Sequence, residues 1–145
     1  MESKSNEHVK HIEKYLRKID YIVRKKGREI LNDFNLTIPQ FTALQFLTNK
    51  GNMTIGELSR EMSLACSTIT DLVDCMEKAG LVVRKRDEND KRIVRVEVLS
   101  NGYDIIEKVM DKRREFLSSK LNTFALEDKD TLNKVLEELY FAMKE

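Results

Sequence analysis

Apolar residues recur at steps of three and four from Val9 through Ile12, Leu16, Ile19 and Val23, and then at Ile30, with Lys25-Lys26 filling the longer gap. That spacing predicts one long amphipathic helix. Its seam is narrow, which suits packing against another long helix better than covering a broad core. Thr37-Ile38-Pro39-Gln40 reads as a capping box with proline in the first turn. It opens a short helix that carries Phe41, Leu44 and Leu47 and stops near Gly51. Thr54-Ile55-Gly56-Glu57 reads as a second capping box, for a helix running through Leu58 to Met62. Beyond Ser63-Leu64-Ala65 a further helix carries Ile69, Leu72, Val73 and Met76 before Ala79-Gly80. Two short helices so closely spaced make a helix-turn-helix.

After Gly80 the period drops to two. Leu81 to Arg86 is one extended run, Asp87-Glu88-Asn89-Asp90 a polar turn, and Arg92 to Val98 a second run. Val94, Val96 and Val98 share one face of the second run and Ile93, Arg95 and Glu97 the other, which predicts a β-hairpin with a charged tip. Ser100 is placed to cap a helix whose seam reads Ile106, Val109, Met110, Phe116, Leu117 and Leu121. A last helix carries Leu132, Val135, Leu136, Leu139, Tyr140 and Met143. The first and last helices expose more apolar surface than the small central module can cover, so they are expected to pack together across a twofold axis. The expected fold is mainly α with a small β-hairpin wing: a winged helix-turn-helix with N- and C-terminal dimerisation helices. Residues 1–35 would form the N-terminal dimerisation helix, 36–99 the DNA-binding module and 100–145 the C-terminal dimerisation helices.

Composition narrows the class without naming a function. The chain has 145 residues, 41% hydrophobic and 35% charged, with one proline and five glycines, which suits an ordered globule able to bury a real core. No apolar run approaches the ~18 residues of a membrane span, and Met1-Glu2-Ser3-Lys4 lacks the apolar core of a signal peptide. A cytoplasmic location and reduced thiols are expected. The net charge of +1 is not the strongly basic balance that announces a nucleic-acid binder. Counted by segment, residues 1–30 hold nine Lys/Arg against five Asp/Glu, residues 54–83 two against five, and residues 84–95 six against three. Any phosphate contact must therefore be local.

A helix-turn-helix followed at once by a basic hairpin has a mechanical logic on DNA. The second helix fits the major groove while the hairpin reaches the neighbouring backbone or minor groove. With Ile69, Leu72, Val73 and Met76 inward, Ser67, Asp71, Asp74 and Lys78 face outward and Thr68 and Thr70 lie on the flanks. Ser67, Thr68 and Thr70 are short donors and acceptors suited to phosphate or a base edge. Asp71 repels phosphate but can accept from cytosine N4. The same residues also suit a plain solvated helix start. Arg84, Lys85 and Arg86 lead into the hairpin tip and Lys91, Arg92 and Arg95 lead out, so cations cluster where a narrow groove takes one side chain. Asp90, two residues before Arg92, is placed to orient it. A charged hairpin edge that resists aggregation has the same composition.

Ser67-Thr68-Ile69-Thr70-Asp71-Leu72-Val73-Asp74, Met76-Glu77-Lys78-Ala79-Gly80-Leu81-Val82 and Asp90-Lys91-Arg92 together resemble the recognition helix and wing of the MarR (multiple antibiotic resistance regulator) family. The helix order is similar along essentially the whole chain, most strongly from Leu36 to Gly102. The resemblance implies a homodimer that binds double-stranded DNA at a pseudo-palindromic operator, usually represses, and lets go when a small-molecule effector or oxidant arrives. It assigns base reading to Ser67, Thr68, Thr70 and Asp71, and the wing contact to Arg92 oriented by Asp90. Ala65 departs from the family by standing where many relatives carry Asp, and Asp71 by standing where many carry a basic or neutral residue.

Cys66 and Cys75 lie nine residues apart in one predicted helix, on opposite faces and about 13 Å apart along its axis, too far for a disulfide. Oxidant-sensing relatives place their reactive cysteine in the N-terminal helical region, where this chain has none. Simple packing is thus the expected role of both thiols, with a thiol-based redox-sensing regulator as an alternative. His8 and His11 have helical i, i+3 spacing beside Glu7 and Glu13 but fall short of the three or four converging ligands a metal needs. Glycine-rich phosphate loops, HExxH and nucleophile elbows are absent from the sequence, so no enzyme, cofactor or metal is expected. The acidic balance of residues 54–83 motivates one further alternative, a winged-helix protein-interaction module without DNA binding.

Overall fold

The computed structural model describes residues 2–145; Met1, the first of the residues read for targeting, lies outside that range. Two compact units divide the chain, residues 1–110 and residues 111–145.

The first unit begins with α1 (Glu2–Asp33), followed by α2 (Ile38–Lys50), β1 (Met53–Thr54), α3 (Ile55–Met62), α4 (Cys66–Lys78), β2 (Val82–Arg86) and β3 (Val94–Val98), and ends within α5 (Ser100–Leu121). The long helix, the helix-turn-helix and the hairpin thus stand where the periodicity puts them. The α2 capping box forms completely: the Thr37 hydroxyl accepts from Gln40 N at 3.2 Å, and the Gln40 side chain accepts from Thr37 N at 3.0 Å. Only half of the second box forms. Thr54 Oγ1 accepts from Glu57 N at 3.1 Å, but the Glu57 carboxylate turns toward Arg95 Nη1, 3.6 Å away, because Thr54 is also the last residue of a strand. Ser100 is the first residue of α5 and not its cap. The Leu99 carbonyl one position earlier accepts from the Gly102 and Tyr103 amides.

Three chain reversals share one geometry. Asn35, Ser63 and Gly80 take left-handed φ values of 56°, 55° and 75°. In each, the following amide reaches back five residues: Leu36 N to Leu31 O, Leu64 N to Ser59 O and Leu81 N to Met76 O. Such Schellman endings satisfy the last helix carbonyls and bring an apolar residue past the turn back onto the helix. Leu36 and Leu81 are buried accordingly.

Strand β1 has no counterpart in the sequence reading. It pairs antiparallel with β3 (Met53 with Val96, Thr54 with Arg95), giving a three-stranded sheet in the order β1-β3-β2. The hairpin pairs Val82 with Val98 and Arg86 with Val94, and the Asp87 amide closes the loop onto the Ile93 carbonyl at 2.8 Å. The loop therefore runs through Ile93, and β3 starts two residues later than expected. Val96 and Val98 are buried on the predicted inner face, among Leu44, Leu47, Leu58, Ile69, Val73, Met76, Leu81 and Val82. This core fixes α4 and the hairpin to one body.

The second unit comprises the rest of α5 and α6 (Leu126–Met143), whose first turn carries Glu127 and Asp128 where the helix dipole favours acids. No residue of α6 is buried, and its seam positions Val135, Leu136, Tyr140 and Met143 are exposed. In α1 the seam positions Val9, Ile12, Leu16, Ile19 and Val23 are likewise exposed, and burial begins only at Ile30.

Candidate nucleic-acid interface

Helix α4 buries Ile69, Val73 and Met76 and half-buries Leu72, so its opposite face is presented outward. Ser67, Thr68, Thr70 and Asp71 are all exposed on its first two turns. Ala65 occupies the N-cap and offers no side-chain hydrogen bond, so the opening amides of α4 keep their donors for another acceptor. Among the described residues Asp71 has no ion-pair or hydrogen-bond partner beyond the helix itself, whereas Asp74 and Glu77 do.

The hairpin tip is built around two aspartates. Asp87 Oδ2 accepts from the Asn89 and Asp90 amides at 3.1 and 3.0 Å, an Asx turn that shapes the loop. Asp90 then grips Arg92 three times: Oδ1 accepts from the Arg92 amide at 3.1 Å and from Nε at 3.0 Å, and Oδ2 accepts from Nη2 at 2.9 Å. Arg92 nonetheless remains 90% exposed. It is a cation held in one orientation and still free to meet a ligand on its outer side. The Arg92 side chain and then its amide hold Asp90 below the usual aspartate range, and Asp90 in turn raises Arg92. Arg86 donates to the Lys91 carbonyl at 2.9 Å, and its side chain and that of Lys91 are exposed at the tip.

Arg84 and Arg95 face elsewhere. The Arg84 side chain is only 27% exposed; Nη2 donates to Asp74 Oδ1 at 2.7 Å and Nη1 donates to Glu77 Oε1. Partial burial works against its charge, but the two carboxylates outweigh that and its pKa is raised. Arg95 Nε donates to Asp87 Oδ1 at 3.1 Å while Nη1 lies 3.6 Å from Glu57. Asp87 is held low first by Arg95 and then by the Asp90 and Asn89 amides. The sequence reading missed Asp87 and Glu57 as organising residues. Asp at the head of a polar turn was the available signal for the first, and none existed for the second.

Packing does not account for the cysteines. Both thiols are exposed on α4, because Cys66 and Cys75 fall outside its buried stripe. His11 lies 3.7 Å from Glu7 on the exposed surface of α1, and no group of three metal-binding side chains occurs among the described residues. Nor is any helix long and apolar enough to cross a membrane among them.

A helix-turn-helix whose second helix presents its polar face beside an antiparallel hairpin tipped by an oriented arginine is a winged helix-turn-helix. Its relatives agree. The model of the MarR family matches residues 36–94. The uncharacterised HTH-type transcriptional regulator YsmB of Bacillus subtilis is 49% identical over 144 residues, 99% of each chain. The chain belongs to the MarR family of transcriptional regulators, which bind DNA and are not enzymes. A MarR family protein from Bacillus stearothermophilus superposes with a TM-score of 0.83 at 44% identity, covering 97% of this chain and 98% of that one. At 16% identity a mutant of MepR from S. aureus, bound to an oligodeoxyribonucleotide, shares the fold with a TM-score of 0.74 over 92% of this chain and 98% of its own.

Proposed function

We propose that this regulator is a cytoplasmic, sequence-specific repressor that binds a pseudo-palindromic operator as a homodimer and is released by a small ligand. The observation that carries the reading is the joint presentation, on one compact unit, of the exposed Ser67-to-Asp71 face and of Arg92 oriented by Asp90. Ser67, Thr68, Thr70 and Asp71 read base edges in the major groove. Arg92 enters the adjacent minor groove or grips its phosphates, with Arg86 and Lys91 on the backbone. Residues 36–99 act as the DNA-binding module, and residues 1–35 and 100–145 supply the dimer contacts. The apolar seams left exposed on α1 and α6 support a second copy as their cover, since patches of this kind rarely stay open in water. Competition titration of genomic fragments against random duplex tests the reading. A preference of ~1,000-fold or more at physiological salt is expected; equal affinity for all duplexes refutes it.

A further inference from the structure

We infer that Arg84 is a positioning residue that sets the recognition helix against the wing, and not a ligand of phosphate. The inference rests on the DNA-binding reading above and assigns one of its cations a different task. Arg84 stands on β2, opposite Val96 of β3, and its guanidinium lies along α4. Its partners there are the Thr70 carbonyl at 3.4 Å, the Asp74 carboxylate at 2.7 Å and the Glu77 carboxylate. Those residues are spaced i, i+4 and i+7, so one side chain runs beside two turns of a single helical ridge. Glu77 adds a second link, accepting from the Arg84 backbone amide at 3.2 Å with its other oxygen. Strand and helix are thus joined through both oxygens of one carboxylate and both terminal nitrogens of one arginine. Sliding or rotating α4 relative to the hairpin breaks several charge-assisted hydrogen bonds at once.

The geometry has a functional consequence because the two ends it joins are the two that meet DNA. Thr70 belongs to the base-reading face, and β2 carries the hairpin that holds Arg92. Only an arginine fits the place. Its planar fork spans two carboxylates and a carbonyl, whereas a lysine ammonium on a flexible stem is a single point charge. A guanidinium flanked by two carboxylates has also little net charge left to offer a phosphate.

Salt-dependent titrations separate this role from phosphate binding, with operator and random duplex measured for each variant. A wild-type protein without operator preference would refute the DNA-binding reading itself and leave no specificity to position. Given that preference, Arg84→Lys should lose about tenfold on the operator, the scale of one charge-assisted hydrogen bond. Arg84→Gln, which removes the cation, should leave the slope of log affinity against log salt unchanged, where loss of a phosphate ligand would lower it by ~0.9 per site. The double variant Asp74→Asn with Glu77→Gln should weaken operator binding and strengthen random binding, since it removes negative charge near the duplex while freeing the helix. A merely structural contact would lower the folded fraction and shift both duplexes alike, leaving their ratio intact. Wild-type affinity in Arg84→Lys, or tighter binding of the double variant to both duplexes in equal measure, would overturn the inference. Should Arg84→Lys fail to fold, the nearly isosteric double variant decides alone.

Discussion

Replacing Arg92 by alanine tests the wing with little risk to the fold. Its side chain is 90% exposed and its polar contacts run within the loop, to Asp90. The melting temperature of Arg92→Ala should therefore stay within about 2 °C of wild type, as for other surface changes. Affinity should respond far more. An arginine seated in a groove or holding phosphate with two nitrogens is worth roughly tenfold, and the proposed dimer has two wings, so independent losses multiply to about 100-fold. The salt slope carries the sharper signature: each lost phosphate contact lowers it by ~0.9, which for two wings is a change of about two. Asp90→Asn keeps the arginine charge but removes the carboxylate that receives Nε and Nη2. It should lose part of the affinity while preserving the slope. Fluorescence anisotropy of a labelled operator between ~50 and ~200 mM salt measures both quantities. A folded Arg92→Ala protein within twofold of wild type, with its slope intact, would remove the wing from recognition.

Gly102→Ala should destabilise by about 1–3 kcal/mol, although alanine for glycine ordinarily strengthens a helix. The added Cβ would lie 2.6 Å from both the Leu81 carbonyl and Val98 Cγ1, and a raised melting temperature would contradict this. Asp87 is held low by Arg95 and two amides, so the folded chain binds fewer protons than the unfolded one in mild acid. Its contribution is complete above the ordinary carboxylate pKa of about 4 and disappears as pH falls through the depressed value. Urea midpoints of wild type and Asp87→Asn should differ at pH 7 and converge in stronger acid; a constant gap would show that the carboxylate charge is not the cause. Ile19→Asp and Val135→Asp change residues exposed in the single chain, so each should fold yet sediment as a monomer at micromolar concentration where wild type is expected to sediment as a dimer. A wild-type monomer that binds the operator tightly would refute the twofold reading.

Local chemistry was the legible part of this chain. The helices follow from apolar spacing, the start of α2 from the Thr37-to-Gln40 box, and the Asp90–Arg92 grip from two residues whose side chains meet within one loop. What escaped depends on distance along the chain. Strand β1 is two residues long, too short to show a period, and exists because Met53 and Thr54 meet Val96 and Arg95 some forty residues later. The turns at Asn35 and Ser63 use left-handed backbone without glycine, so their residue types gave less warning than Gly80. The thiols are expected to pack because their spacing forbids a disulfide and does not match the oxidant-sensing relatives; instead the α4 stripe passes between them and both are exposed.

Charge shows the same division, and it bears on function. Residues 54–83 read as acidic, with five carboxylates against two cations. In space four of those carboxylates are met by cations from outside the segment: Glu57 by Arg95, Glu61 by Lys50, and Asp74 and Glu77 together by Arg84. The hairpin, which reads as basic, spends two of its six cations in this way. Pairing of these four carboxylates within the fold lowers the net negative charge that an acidic docking face would offer. Opposite charges that look segregated along the sequence are instead joined across the fold, α4 to β2 and α3 to β3. What remains outward on the first turns of α4, among the described residues, is a row of hydroxyls and one unpaired carboxylate, Asp71. On the hairpin tip stands an arginine that its own loop holds in place.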